Sequence, residues 1–283
     1  MNEQNDEIRK AVSTAYAKAV SKDSDCSCCC GEDTQKGTVV KLAGYGREEL
    51  EALPPEAVIN SFGCGNPVAF SEVKAGDVVL DLGSGAGIDI LIAAKKVGST
   101  GRAIGIDMTD EMIAKARENI AASGLRNAEV RKGIIEDLPV KSSSVDWVIS
   151  NCVINLSPEK PKVFAEITRV LKPSGQMLVS EIVVEDLPEW VRENQALHSA
   201  CISGAISESE YLDGLRAAGL ENVEVRDRLV YDASQLKELI QSELADIEPE
   251  VANLAASTNA ETVNNIAESL AGKIWSAKFY ARK

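Results

Sequence analysis

Asp77-Val78-Val79-Leu80-Asp81-Leu82-Gly83-Ser84-Gly85-Ala86-Gly87 is the stretch that decides the fold. Its first half is a short apolar run of the kind that forms a strand buried on both faces. Its second half alternates glycine with small residues, and Ile88, Leu91, Ile92 and Val97 then recur at helical spacing. A strand, a glycine turn and a helix in direct succession open an α/β unit. Working outward, Ala103–Asp107 reads as a second strand, and the helix after it is capped by Thr109 or Asp110 and runs to about Gly124. Glu129–Arg131 and Val145–Ser150 are the third and fourth strands. Pro158 opens a helix that ends before Pro173, and Gln176–Val184 is the fifth strand. This alternation predicts an α/β fold with a mostly parallel sheet and helices on both faces.

The flanks read differently. Ile8, Val12, Ala15, Tyr16 and Ala19 give residues 5–20 the pattern of an amphipathic helix. Residues 21–37 are Ser, Asp, Gly and Cys, the composition of a loop. Residues 47–72 hold short helical pieces broken by Pro54, Pro55 and Pro67. After the fifth strand, helices are expected over 189–203 and 208–218, a strand over 223–231, a helical insert of about 40 residues, and a last antiparallel strand over 274–282, at or near the sheet edge.

Composition narrows the function classes. The 283 residues include 44 acidic and 30 Lys or Arg, a net charge of −14. That balance argues against nucleic acid, whose binding needs basic stripes, and against an anionic membrane surface. No apolar run reaches the roughly 20 residues that span a bilayer. The polar start Met1–Lys10 has no secretory apolar region, so the expected location is cytoplasmic. Seven cysteines stand out: Cys26, Cys28, Cys29 and Cys30 are crowded, whereas Cys64, Cys152 and Cys201 are scattered. An odd count in a reducing compartment suits metal ligands, redox centres or buried small residues better than a disulfide scaffold.

The glycine turn points to a nucleotide-like ligand. Dinucleotide folds space their glycines first, third and sixth, but here the sixth position is Ile88 and the third glycine comes at the fifth. No Walker lysine is present. Asp107 ends the next strand 20 residues after Gly87, where a carboxylate can accept from both ribose hydroxyls. The pattern Asp-x-Gly-x-Gly-x-Gly resembles motif I of the class I S-adenosylmethionine-dependent methyltransferases. The resemblance implies that fold, with S-adenosylmethionine as cofactor, Asp81 near its amine and Asp107 on its ribose. Gly133–Pro139 resembles the adenine-contact loop of the same fold, with Ile134 where many members have Asp, so adenine recognition falls to backbone groups and Glu136. The implied cofactor-binding set is Asp81, Gly83, Ser84, Gly85, Gly87, Asp107, Met108, Ile135, Glu136 and Asn151.

The acceptor is read from the cysteines. His198, the only histidine, is expected to be a surface or satisfied residue, so general bases are scarce. Cys152 directly follows the fourth strand, and ligands in open parallel sheets bind outside the carboxyl ends of the strands. Cys201 follows the fifth strand, and Cys64 lies in a Gly-Cys-Gly turn before the first. From about residue 60 to 230 the chain resembles the arsenite methyltransferases. Phe62–Pro67, Leu80–Gly87, Gly105–Asp110, Ser150–Pro158 and Cys201–Ala205 carry the resemblance, and Ser150–Pro158 is the most specific. It implies Cys64, Cys152 and Cys201 as ligands of arsenic(III), with arsenite and methylarsenite as substrates. Relay cysteines fall within Cys26–Cys30, with Cys29 and Cys30 as candidates. The chain stops short of the extra C-terminal region of longer members.

Such chemistry suits these residues. Trivalent arsenic is soft and prefers thiolates. Its lone pair needs no deprotonation, so the protein's task is alignment. Methylation oxidises arsenic from III to V, and a thiol pair closing to a disulfide returns the two electrons. One cluster cysteine pairing with Cys64, then reopened by thioredoxin or glutathione, meets that need. The implied organisation is residues 1–72 as N-terminal helix, Cys-rich loop and lid, 73–186 as the cofactor-binding domain, and 187–283 as arsenic-site helices and sheet completion. Two other readings stand beside this one. A quinone or sterol C-methyltransferase would not need three such cysteines, and a non-catalytic metalloid-binding protein would not need the intact turn and Asp107.

Overall fold

Alternation along the central strands explains the layering. In the computed structural model, which describes residues 3–21, 53–59, 66, 72–186, 203–236, 268 and 270–283, β1 (Val78–Leu82) sends Leu80 and Leu82 into one apolar cluster and Val79 into another. Successive side chains of a strand point to opposite faces, so both faces of the sheet are covered. One face packs α3 (Ile88–Val97) and α4 (Asp110–Ser123); the other packs α5 (Lys160–Val170) and α6 (Glu208–Ala217). Among the described residues, α1 (Glu3–Ser21) and α2 (Pro55–Ile59) precede β1.

The remaining strands are β2 (Arg102–Asp107), β3 (Ala128–Lys132), β4 (Val145–Asn151), β5 (Leu171–Val184), β6 (Glu221–Val230) and β7 (Ile274–Arg282). Their order is β3-β2-β1-β4-β5-β7-β6. The first five are parallel, and β7 lies antiparallel between β5 and β6. This is the class I methyltransferase fold. The edge strand β6 leaves Leu229 and Val230 exposed. A capping box starts α6: the Ser207 hydroxyl accepts from Glu210 N, and the Glu210 carboxylate accepts from Ser207 N. Tyr211 of that helix stacks on Phe279 of β7 with ring centroids 4.1 Å apart.

Two boundaries differ from expectation. Helix α5 starts at Lys160, not Pro158: a 3₁₀ turn at Ile154–Leu156 comes first, and Pro161 occupies the first helical turn. Lys160 Nζ donates to the carbonyls of Asn155 and Ser157, which fixes the start. Strand β5 pairs from Leu171, then jumps register so that Gln176 faces Trp147. Pro173 lacks a backbone donor and Ser174 takes φ 67°, so the chain bulges before pairing resumes. The expected helix 189–203, the Cys-rich loop and most of the C-terminal insert lie outside the described residues. No helix among the described residues is long and apolar enough to cross a membrane.

Candidate active site

The strand order reverses between β1 and β4, and at that switch point the carboxyl ends of β1, β2 and β4 open a crevice. Residues from all three ends, from α3 and from the loop after β3 line one pocket there. The glycine turn forms its floor. Gly83 has φ 67°, and a Cβ added to it would stand 2.4 Å from the Val153 methyls. Only glycine therefore allows both the turn and the close approach of the loop after β4. Asp107 ties the turn to β2: Oδ2 accepts from Gly85 N and Oδ1 from Thr109 N, each at 2.9 Å.

Four carboxylates line this pocket, Glu136 and three aspartates. Asp81 and Asp89 are 3% and 4% exposed, and both line it with Asp107. Burial, then the neighbouring charges of Asp89 and Asp107, pushes the Asp81 carboxyl well above the usual range. Burial also raises Asp107, against the opposing N–H groups of Thr109, Gly85 and Met108. Like charges crowded in a low-dielectric site repel one another, and a positively charged ligand relieves that repulsion. The pocket thus fits a cationic, nucleoside-sized molecule, with apolar walls from Ile88, Met108, Met112 and Ile135.

An N-terminal helix covers it. Arg9, Val12 and Tyr16 of α1 line the pocket. Arg9 Nε donates to Glu136 Oε1 at 3.2 Å, and Arg9 Nη2 donates to Glu159 Oε2 at 2.6 Å. Ser157 Oγ donates to the same Glu136 oxygen at 2.6 Å. The Glu136 carboxylate, expected at the adenine, therefore also anchors α1. Thr109 Oγ1 adds a bond to Ser13 Oγ at 3.2 Å.

Of the expected cofactor residues, Asp81, Gly83, Ser84, Gly85, Asp107, Met108, Ile135, Glu136 and Asn151 line the pocket. Gly87 is not among its lining residues. It takes φ 92° as the left-handed N-cap of α3, and an added Cβ would lie 3.4 Å from Ala116 Cβ, so its glycine serves the turn and helix packing. The Ser84 hydroxyl is buried without a hydrogen-bond partner, 2.5 Å from where a Cβ on Gly105 would stand. Cys152 lines the same pocket, 5% exposed and with φ 56°. It is disulfide-bonded, and it is the only cysteine among the described residues. Cys29, Cys30, Cys64 and Cys201 lie outside them.

Sequence reasoning missed Asp89 and the covering role of α1. An aspartate two residues after the last glycine, in the otherwise apolar Ile88–Ala94, was an available signal for the first. Arg9 carried none for the pocket, because the carboxylates it meets there, Glu136 and Glu159, are 127 and 150 residues away.

Comparisons with known proteins agree with this geometry. Residues 73–225 match the family described as "Methyltransferase domain". An arsenite methyltransferase of Halobacterium salinarum is 40% identical over 232 residues, covering 78% of this chain and 59% of that protein. The human arsenite methyltransferase is 34% identical over 71% of this chain and 54% of its own length. The crystal structure of an arsenic(III) S-adenosylmethionine methyltransferase from Chlamydomonas reinhardtii matches with a TM-score of 0.59 at 29% identity, covering 86% of this chain and 71% of that one. The chain belongs to the methyltransferase-domain family. It spans less than three fifths of the length of these curated relatives.

Proposed function

We propose that this chain moves a methyl group from S-adenosylmethionine to trivalent arsenic held by cysteine thiolates. The observation that carries the reading is that Cys152 lines the same pocket as the glycine turn and the three aspartates Asp81, Asp89 and Asp107. The relatives named arsenite methyltransferase support it.

Bound S-adenosylmethionine supplies an electrophilic methyl group on a cationic sulfur. Asp107 accepts from the ribose hydroxyls while keeping its two backbone donors, since each carboxylate oxygen has more than one acceptor site. Asp81 and Asp89 offer negative charge to the amine and sulfonium. Ile135 and Glu136 border the adenine end, and α1 excludes water above it. Cys152, with Cys64 and Cys201, would take the places of three hydroxyls on arsenite, leaving the arsenic lone pair free to accept the methyl. No general base is needed, and none of the pocket's groups is assigned that role.

Transfer leaves arsenic oxidised by two electrons. A thiol of the Cys26–Cys30 cluster, with Cys29 and Cys30 as candidates, returns them by forming a disulfide with Cys64, and thioredoxin or glutathione reopens it. A reducing cytoplasmic setting suits that cycle. In this reading residues 73–186 bind cofactor, 1–72 supply cover and relay, and 187–283 complete the arsenic site and sheet. The test is arsenic speciation after incubating the chain with arsenite, S-adenosylmethionine and a thiol reductant. Methylated arsenicals are expected, and their absence with cofactor bound overturns the proposal.

A further inference from the structure

Glu181 lies toward the carboxyl end of β5, is fully buried, and is not among the pocket's lining residues. Its Oε1 accepts from Val153 N at 3.0 Å and from Ile154 N at 2.8 Å. Those are the two backbone donors that follow Cys152. The N–H of Cys152 itself donates to the Ser180 carbonyl at 2.8 Å. Two neighbouring residues of one strand therefore hold three consecutive donors of the loop after β4. That loop needs holding. Cys152 takes φ 56°, a left-handed conformation that is unfavourable for a residue with a Cβ and persists only when its surroundings impose it. Val153 is also the residue pressed onto Gly83. One buried acceptor thus fixes the turn that aims the cysteine and the side chain that packs against the cofactor loop.

We propose that Glu181 is a positioning residue that sets where the Cys152 sulfur stands. The consequence for turnover rests on the reading of Cys152 as an arsenic ligand; the positioning itself does not. The required feature is an acceptor at Oε1, because both donors converge on that one atom. The second oxygen, Oε2, has no partner. A glutamine keeps an oxygen that accepts both bonds, whereas a methionine of similar length keeps none and strands two buried donors.

The experiment compares full-length wild type, Glu181→Gln and Glu181→Met, all fully reduced, by iodoacetamide alkylation resolved peptide by peptide in the mass spectrometer. Glu181→Met is expected to alkylate at Cys152 at least about tenfold faster, as a loosened loop exposes a sulfur that is otherwise buried. Glu181→Gln is expected to stay within about twofold of wild type. A Glu181→Met rate equal to wild type overturns the proposal, and so does a Glu181→Gln rate equal to that of Glu181→Met. Should Glu181→Met not fold, Glu181→Asp replaces it. Its acceptor is withdrawn by one methylene, so an intermediate rate is expected and an unchanged one overturns the proposal. Arsenite methylation by the same proteins separates the two readings: wild type that fails to methylate sinks the proposed reaction, while the alkylation pattern still decides the role of Glu181.

Discussion

Replacing Arg9 by Met tests whether α1 is held over the pocket by one buried ion pair. Methionine keeps the apolar stem and removes the guanidinium. The Arg9 side chain is 10% exposed and its partner Glu136 only 5%, so the bond at 3.2 Å is shielded from water. Removing it leaves the Glu136 carboxylate with the Ser157 hydroxyl alone. A hydrogen bond to a charged group contributes about 1.5–3 kcal/mol, or roughly ten- to a hundredfold in the equilibrium between docked and undocked helix. The Glu159 contact lies nearer the rim, where Glu159 keeps Lys162 as a second partner, and it adds little. The burial of Val12, Ala15 and Ala19 and the Ser13–Thr109 bond still hold α1. Hydrogen exchange is the assay, because protection of amides in a locally opening segment follows that segment's own opening equilibrium. Protection across Glu3–Ser21 is expected to fall roughly ten- to a hundredfold, with β1, β4 and β5 unchanged. The same change in Glu136→Gln, and no further loss in the double variant, locates the effect in the pair. Protection in Arg9→Met within twofold of wild type refutes the reasoning: apolar burial alone would then dock the helix.

Asp107→Asn turns one acceptor into a donor facing a backbone N–H, so affinity for S-adenosylmethionine should drop roughly ten- to a hundredfold by calorimetry, with arsenite binding by the reduced protein retained. Unchanged cofactor affinity removes Asp107 from the ribose. Cys64→Ser should stop methylation of arsenite and spare methylarsenite, which has only two replaceable positions, provided the reductant does not coordinate arsenic. Cys152→Ser should lose both, and residual methylarsenite methylation would dismantle the site as drawn. Burial lifts the Glu181 carboxyl from 4.5 to about 7, against the opposing N–H groups of Ile154, Val153 and Asn155 and the charge of Lys160. The folded chain therefore holds this proton more tightly than the unfolded chain, so the group's contribution is most favourable below pH 4.5 and is lost as pH rises through 7. Urea unfolding should show wild type losing about 3 kcal/mol relative to Glu181→Gln across that window; a constant difference contradicts the shift.

The order of elements was legible because each depends on neighbours a few residues away. Val78–Leu82 is apolar except for Asp81 and forms the inner strand β1; Gly83–Gly87 takes the left-handed angles its glycines permit; Gly124 caps α4 as expected. Asp107 was legible for the same reason, as an acidic residue at a strand end a fixed distance beyond the turn. Gly87 does not line the pocket, and a glycine needed for helix packing looks the same in sequence as one needed for a ligand. The start of α5 was misplaced because Pro158 and Pro161 both suit a helix entry, and the choice was made by Lys160 reaching back to Asn155 and Ser157.

The sequence by itself determined the parallel α/β sheet, the pocket at its switch point and the presence of Cys152 beside it. Tertiary structure alone decided that α1 closes over that pocket through Arg9, that Asp89 joins Asp81 and Asp107 inside it, and that Glu181 holds the loop carrying Cys152. The physical reason is range. Strand, turn and helix preferences are set by local sterics and periodicity, whereas an ion pair across 127 residues or a buried acceptor 27 residues from its donor exists only once sheet order and helix packing have brought the two together.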